Sequence, residues 1–435
     1  MKINRRDLLV AGGISLLAGP PAFGQSIVAT PAPAQSPPTD PRATRLIEAL
    51  QRNRLLLTMI DGVPAGPGWD WLVREAADAR FTLIGEEAGV AETSLLSSAL
   101  FNALRGSGYG RVAIELSPPI AEDIEAAARR NGREGIVDVL TNPGVFTFYN
   151  LREEARFLAD VIQAAPRNER VLWGLDREIF SDRYLISSLE NKVPQRALHA
   201  FTRLKQASAN ALVRFEQTQN PDDMFLLSED PAVVSAVRAA WPNPDHRSDL
   251  IMRTLEESLA IETAERVGGA WPYLQRRAQW KRNNLAQLLM SDRGGNVPPK
   301  IMMKLGYNHA IRGANYVNVF DVGAMAGEVA ALTGDRAFHI IVLPGLGSRQ
   351  AVAGQKRSFG SVATEDFDSL SAGDRRLTRV LPNPNAAGHE VIDLRTGRPL
   401  AMRGLESWNP DLVRTIFGYD AAVIWKGAHA STGLE

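Results

Sequence analysis

The chain has 435 residues, 45% hydrophobic and 23% charged, which are ordinary values for a folded protein and exclude disorder over most of its length. Lys plus Arg and Asp plus Glu both number 49, so no basic excess points to nucleic acid or an anionic membrane surface. Cysteine is absent, which removes disulfide frameworks, cysteine-based zinc sites, iron–sulfur clusters and thiol catalysis.

Residues 1–25 read as a signal peptide. Lys2, Arg5 and Arg6 precede an apolar run from Leu8 to Leu17, and Ala22-Phe23-Gly24 is a small-x-small site followed by Gln25. The run is too short to span a bilayer. Arg5-Arg6 followed by Asp7-Leu8-Leu9 is the pattern of a twin-arginine signal, with an ordinary secretory signal as the alternative. The expected location is therefore periplasmic or secreted, with the twin-arginine translocase as a partner during export and no membrane association afterwards. Residues 26–41 are Pro-rich and read as an extended linker. One α/β domain is expected over 42–435.

Six short runs read as buried strands: Phe81–Ile84, Arg111–Glu115, Arg170–Leu175, Lys300–Leu305, Ala337–Leu343 and Ala421–Trp425. They are nearly continuous in apolar residues, as expected of strands covered on both faces of a parallel sheet. Helical patterns lie between them at Ser94–Leu104, Pro119–Arg130 and Leu151–Ala164. The alternation predicts an α/β fold with a mostly parallel sheet and flanking helices. Over about 181–298 the strand signal disappears, and Leu198–Gln217, Pro231–Ala240, Asp249–Arg266 and Pro272–Ser291 read as helices. This is a helical insertion between strands, serving either as a cap over a site or as packing mass.

Acids and a histidine recur just after strands. Glu86 and Glu87 follow Phe81–Ile84 after one glycine, Glu115 closes the next strand, Asp176 follows Leu175, and His309 comes four residues after Leu305. Ligands of open parallel sheets bind at the carboxyl ends of the strands. Neighbouring strands would bring these groups within about 5 Å per step. Crowded carboxylates cannot all ionise freely, so at least one should act as an acid or base near neutral pH. The same oxygen-rich cluster with one imidazole could hold a divalent metal. The competing reading of each acid is a helix cap or a solvated loop residue, and Glu87 is the most exposed to that objection. On the helix Pro272–Ser291, Arg277, Lys281 and Asn284 share one face, which would either meet the acids and a substrate or be solvated. His339 lies within an apolar strand and reads as a core residue; His199, His246, His389 and His429 carry no signal.

No Gly-x-Ser-x-Gly elbow, His-Glu-x-x-His helix or P-loop occurs, and no Gly-x-Gly-x-x-Gly follows the first strand. Pro344-Gly345-Leu346-Gly347 is a turn without further meaning.

Leu83-Ile84-Gly85-Glu86-Glu87-Ala88-Gly89-Val90-Ala91-Glu92 resembles the opening motif of the erythromycin esterase-like proteins, Leu-Gly-Glu-x-x-His-x-x-x-Glu. Val112–Glu115 resembles their second strand, Gly174-Leu175-Asp176 their Gly-x-Asp, and Arg277–Leu285 their Arg-Asp-x-x-Met-x-x-Asn-Leu helix. Asn308-His309 falls where they carry His-Asn-x-His, and Phe417–Ile424 resembles their closing strand. The resemblance implies an α/β fold with a helical insertion. It also implies an esterase using histidine and glutamates, without a serine nucleophile. Glu86, Glu115, Asp176, Arg277, Asn284 and His309 carry over. Gly89 and Gly306 replace histidines of the pattern, Ala278 its Asp, and Lys281 its Met. The expectation is a hydrolase of an ester or related bond. Glu86, Glu115, His309 and Asp176 would be catalytic, and Arg277, Asn284, Glu87 and Lys281 would bind a small-molecule substrate. The alternative is a non-catalytic protein binding haem, a metal or a small molecule on the same scaffold.

Overall fold

The computed structural model describes residues 41–166, 169–292, 299–345, 347–353, 358–363, 388–403 and 410–434, with backbone alone at 43, 351–353 and 358–363. The expected signal peptide, nearly all of the Pro-rich linker, Leu346 of the Pro-Gly turn and the last residues of the insertion lie outside them. Eleven strands occur among the described residues: β1 Arg54–Ile60, β2 Val63–Ala65, β3 Phe81–Glu86, β4 Tyr109–Ile114, β5 Leu172–Gly174, β6 Lys300–Gly306, β7 Ala337–Leu343, β8 Ser348–Ala353, β9 Ser358–Ala363, β10 His389–Asp393 and β11 Ala421–Ile424.

Nine strands form one sheet in the order β2-β1-β10-β11-β7-β3-β6-β4-β5, and β8 and β9 pair separately as a hairpin. From β11 to β5 every neighbouring pair is parallel; β10, β1 and β2 add an antiparallel edge. The six parallel strands are the six read from the sequence as apolar runs. They are buried because helices cover both faces. Ile84, Val112, Ile114, Met302, Ile340 and Val342 pack into the layer of the helices Ala91–Leu104, Pro118–Leu140 and Arg152–Ala164. Their alternates Leu83, Ala113, Met303, Leu305, Ile341 and Leu343 pack into the layer containing Pro41–Arg52, Ala270–Ser291 and Val322–Ala331. The period of two divides each strand between the two cores.

The helix expected at Pro119–Arg130 extends over Pro118–Leu140, with non-helical backbone at Asn131 and Gly132 where it bends. Between β5 and β6 all regular structure among the described residues is helical. The two longest helices there, His246–Gly268 and Ala270–Ser291, meet at Gly269. Its φ of +78° is a conformation that favours glycine, and it permits the reversal of direction.

Topology concentrates polar groups at one edge. After β3 the chain steps to β4 and β5 on one side; β6 returns between β3 and β4, and β7 lies on the other side of β3. The connections after β3 and β6 leave on opposite faces, which opens a crevice beyond their carboxyl ends. Register aligns these ends. Glu86 pairs with Gly306, and Ile84 and Ile114 both pair with Lys304. Beside this edge, Gly89 anchors two distant segments, its carbonyl accepting from Gln350 N (2.8 Å) and Ser431 N (2.9 Å).

Gly89 has φ +88°, and a Cβ there would lie 2.0 Å from the Gln350 carbonyl oxygen. Gly89→Ala must therefore displace the β8–β9 hairpin or the loop after β3, in addition to the backbone strain, which itself costs about 1–3 kcal/mol. A lowered unfolding midpoint is the expected outcome in denaturant titration, and a midpoint equal to wild type would contradict this packing.

Candidate functional site

Glu86 ends β3 and points to the same face as Ile84. There Lys304, fully buried on β6, donates to Glu86 Oε1 and to both oxygens of Glu154 (2.8 and 3.0 Å). Ser94 Oγ also donates to Glu154, at 2.8 Å. The Lys304 ammonium lies 5.3 Å from the Tyr149 ring centroid and 5.5 Å from that of Phe157. One ammonium cannot neutralise two carboxylates. Burial, together with the charges of Glu154 and Glu115, pushes the Glu86 carboxyl up to about 8 against the opposing pull of Lys304. Tyr149, buried beside Glu154, Glu86 and Glu115, is held well above the ordinary phenol value by burial first and by those acids second.

Glu115 points to the opposite face. Its Oε2 accepts from the Gly306 backbone N–H, and its Oε1 lies 3.3 Å from His309 Nε2, 3.5 Å from Arg277 Nη2 and 3.9 Å from Lys281 Nζ. A Cβ at position 306 would stand 3.1 Å from Glu115 Oε2, so glycine makes room for this contact. Arg277 grips Asp176 with Nε (3.1 Å) and Nη2 (2.5 Å). Burial raises Asp176, but Arg277 and Lys281 outweigh it and hold the carboxyl far below its usual range. His309 Nδ1 meets Asp321 Oδ2 at 2.7 Å and Lys281 Nζ at 2.6 Å. Asp321 is also held well below the ordinary carboxylate range, chiefly because the Lys281 ammonium outweighs its burial. Asn284 donates to the Leu175 carbonyl at 2.9 Å and fixes the chain just before Asp176.

Several of these groups line a cavity of about 60 Å³, room for more than one water molecule. Glu86, Glu115, Asp176, Arg177, Arg277 and Gly306 form its polar side, and Phe146, Phe148, Tyr149, Ile179 and Phe180 an apolar wall. Glu86 Oε2, Glu115 Oε1, His309 Nε2 and the Nε and Nη1 of Arg177 are buried without a hydrogen-bond partner among the described residues. Each such group costs about 1–3 kcal/mol, and buried unsatisfied groups call for an explanation such as a catalytic role.

Of the residues singled out from sequence, Glu86, Glu115, Asp176 and Arg277 share this cavity. His309, Lys281 and Asn284 lie behind its wall, so that His309 reaches it through Glu115. Glu87 is directed elsewhere, with its Oε1 3.4 Å from Arg349 Nη1. His339 is a core residue whose Nδ1 contacts the Ala310 carbonyl, and burial lowers it to about 4. Lys304, Glu154, Tyr149, Asp321 and Arg177 escaped the sequence reading. Two left a signal: Lys304 is a charge inside an apolar strand, and Glu154 precedes Phe157, Leu158 and Ile162 on one helical stripe. The donor set does not fit the divalent metal that the sequence allowed. Among the described residues no group of three or more His, Asp or Glu is placed to hold one, and Lys304, Arg277 and the Gly306 N–H already engage the acids.

No family model matches the chain, and no curated protein matches it in sequence. Solved structures do match in fold. A succinoglycan biosynthesis protein superposes with a TM-score of 0.58 at 12% identity, covering 90% of this chain and 98% of that one. A Bacillus cereus protein gives 0.57 at 13%, with the same coverage. A mutant of the erythromycin esterase EreC in its open conformation gives 0.52 at 14%, covering 84% and 95%. The chain thus has an erythromycin esterase-like fold.

Because its pKa is raised in the folded state, the Glu86 carboxyl contributes stability that is full below about 4.5 and lost as pH rises through about 8. Glu86→Gln removes that titration. The thermal midpoint of the variant relative to wild type should rise between about pH 5 and pH 8; midpoints that run parallel over this range would refute the assignment.

Proposed function

We propose that this protein is a periplasmic or secreted hydrolase of an ester or related bond in a small-molecule substrate, exported by the twin-arginine route. The observation carrying the catalytic reading is the pair of cavity-lining carboxyl groups, Glu86 and Glu115, each with one buried oxygen lacking a partner and one of them titrating near neutrality. The likeness to the esterase fold supports it, and the signal-like first residues support the location.

Two carboxyl groups in different environments divide acid from base work. Glu115 accepts a proton from water as the water oxygen attacks the carbonyl carbon. Glu86, protonated below about 8, gives its proton to the departing alkoxide. Charge developing on the carbonyl oxygen is met by guanidinium N–H groups. Arg277 is largely committed to Asp176, whereas Arg177 has Nε and Nη1 to spare. Proton uptake by Glu115 and proton release by Glu86 leave acid and alcohol as products.

Hydrolysis of a panel of alkyl esters, whose alkoxide leaving groups need a proton, followed by acid release in a pH-stat, tests this reading. Glu115→Gln should lower kcat/KM by about 100-fold or more. Wild-type activity should decline as pH rises through about 8, and that decline should disappear in Glu86→Gln. Full activity in Glu115→Gln would defeat the assignment. Ligand-induced thermal stabilisation with no turnover of any ester would replace it with the binding-only reading.

A further inference from the structure

We infer that Lys281 is a positioning residue that fixes His309 in the Nε2–H tautomer, so that its imidazole donates to Glu115 and does not compete with it as a base. The mechanistic meaning rests on the hydrolase reading above, whereas the tautomer assignment stands on geometry alone.

Lys281 is fully buried on the helix Ala270–Ser291, and its ammonium can only donate. Nζ lies 2.6 Å from His309 Nδ1 and 3.1 Å from Asp321 Oδ2. If Nδ1 carried the proton, two donors would confront each other across 2.6 Å. On the other side of the ring, the bare Nε2 would face Glu115 Oε1 at 3.3 Å, acceptor against acceptor. Both of those atoms would remain buried and unpaired. Moving the proton to Nε2 resolves both conflicts and leaves one contact between acceptors, Nδ1 and Asp321 Oδ2 at 2.7 Å, which the Lys281 ammonium holds together. Lys281 then donates to the Nδ1 lone pair and to Asp321 Oδ2 alike. Asp321 Oδ1 takes the Val322 N–H at 2.8 Å. Nε2–H points toward Glu115 Oε1, and a small rotation converts two partnerless atoms into a donor–acceptor pair. A neutral aliphatic side chain at position 281 would leave Asp321 as the only strong partner of Nδ1 and draw the proton to that nitrogen.

Histidine-selective ¹⁵N labelling of the full chain, with long-range ¹H–¹⁵N correlation at about pH 8, reports tautomers directly, and Lys281 is tested by substitution. The His309 signals are assigned by their loss in His309→Asn. The expected wild-type pattern is a protonated Nε2 with a bare Nδ1. Lys281→Met should invert it, and Lys281→Arg should retain it. A wild-type spectrum with Nδ1 protonated, or with both nitrogens protonated, overturns the inference, as does a Lys281→Met spectrum identical to wild type. The wild-type spectrum decides the tautomer even if Lys281→Met does not fold. Because the readout requires no turnover, an inactive protein with Nε2–H would reject hydrolysis and leave the tautomer standing.

Discussion

Five carboxyl groups share three cations at the carboxyl edge of the sheet, Glu86, Glu154, Glu115, Asp176 and Asp321 against Lys304, Arg277 and Lys281, while the neighbouring Arg177 is paired with a sixth acid, Glu262. In a buried site this shortage cannot be relieved by water, so it is met by retained protons and by backbone N–H donors. Glu86 carries the imbalance on its face of the sheet, since Glu154 holds Lys304 through both oxygens. Glu115 is relieved on the other face by the Gly306 N–H and by Arg277 and Lys281, 3.5 and 3.9 Å from its Oε1. The acid and base roles proposed for Glu86 and Glu115 follow from this division.

The sheet makes the division possible. Side chains alternate across a strand, so Glu86 on β3 and Glu115 just beyond β4 approach the edge from opposite cores while their backbones remain level. The β6 strand lies between them and serves both. Lys304 turns to the Glu86 side, and the N–H of Gly306 turns to Glu115. The order β3-β6-β4 gives one strand this double service, and the chain reaches β6 through the helices that follow β5.

The parts legible in the sequence were those whose cause is local. The six parallel strands are apolar because each is covered twice, and their endings expose the acids that follow them. Of the antiparallel strands, β2 and β10 are short and carry few apolar residues, whereas β1 does present an apolar run, Leu55-Leu56-Leu57-Thr58-Met59-Ile60, which was not among the six singled out. Arg277, Lys281 and Asn284 could be placed on one helix face because their spacing is helical. What they meet could not be read, since Asp176 is 101 positions from Arg277 and Asp321 is 40 positions from Lys281. The same limit hid the pairing of Lys304 with Glu154, 150 positions away. Glu87 shows the converse: adjacency to Glu86 suggested a shared site, but consecutive side chains diverge at a strand end.

The two glycines standing where the resembling esterases carry histidine have separate physical reasons. At position 89 the backbone conformation and the Gln350 carbonyl exclude any side chain. At position 306 the space beyond Cα is taken by the Glu115 carboxylate, which uses the Gly306 N–H instead. Restoring either histidine alone would displace a group that the present site depends on. The remaining imbalance falls on His309, and its ring is bounded by Asp321, Lys281 and Glu115. A cation at position 281, where the resembling pattern has methionine, therefore changes the chemistry of the site. It turns the one histidine near the cavity into a donor and leaves the carboxylate in front of it to meet water.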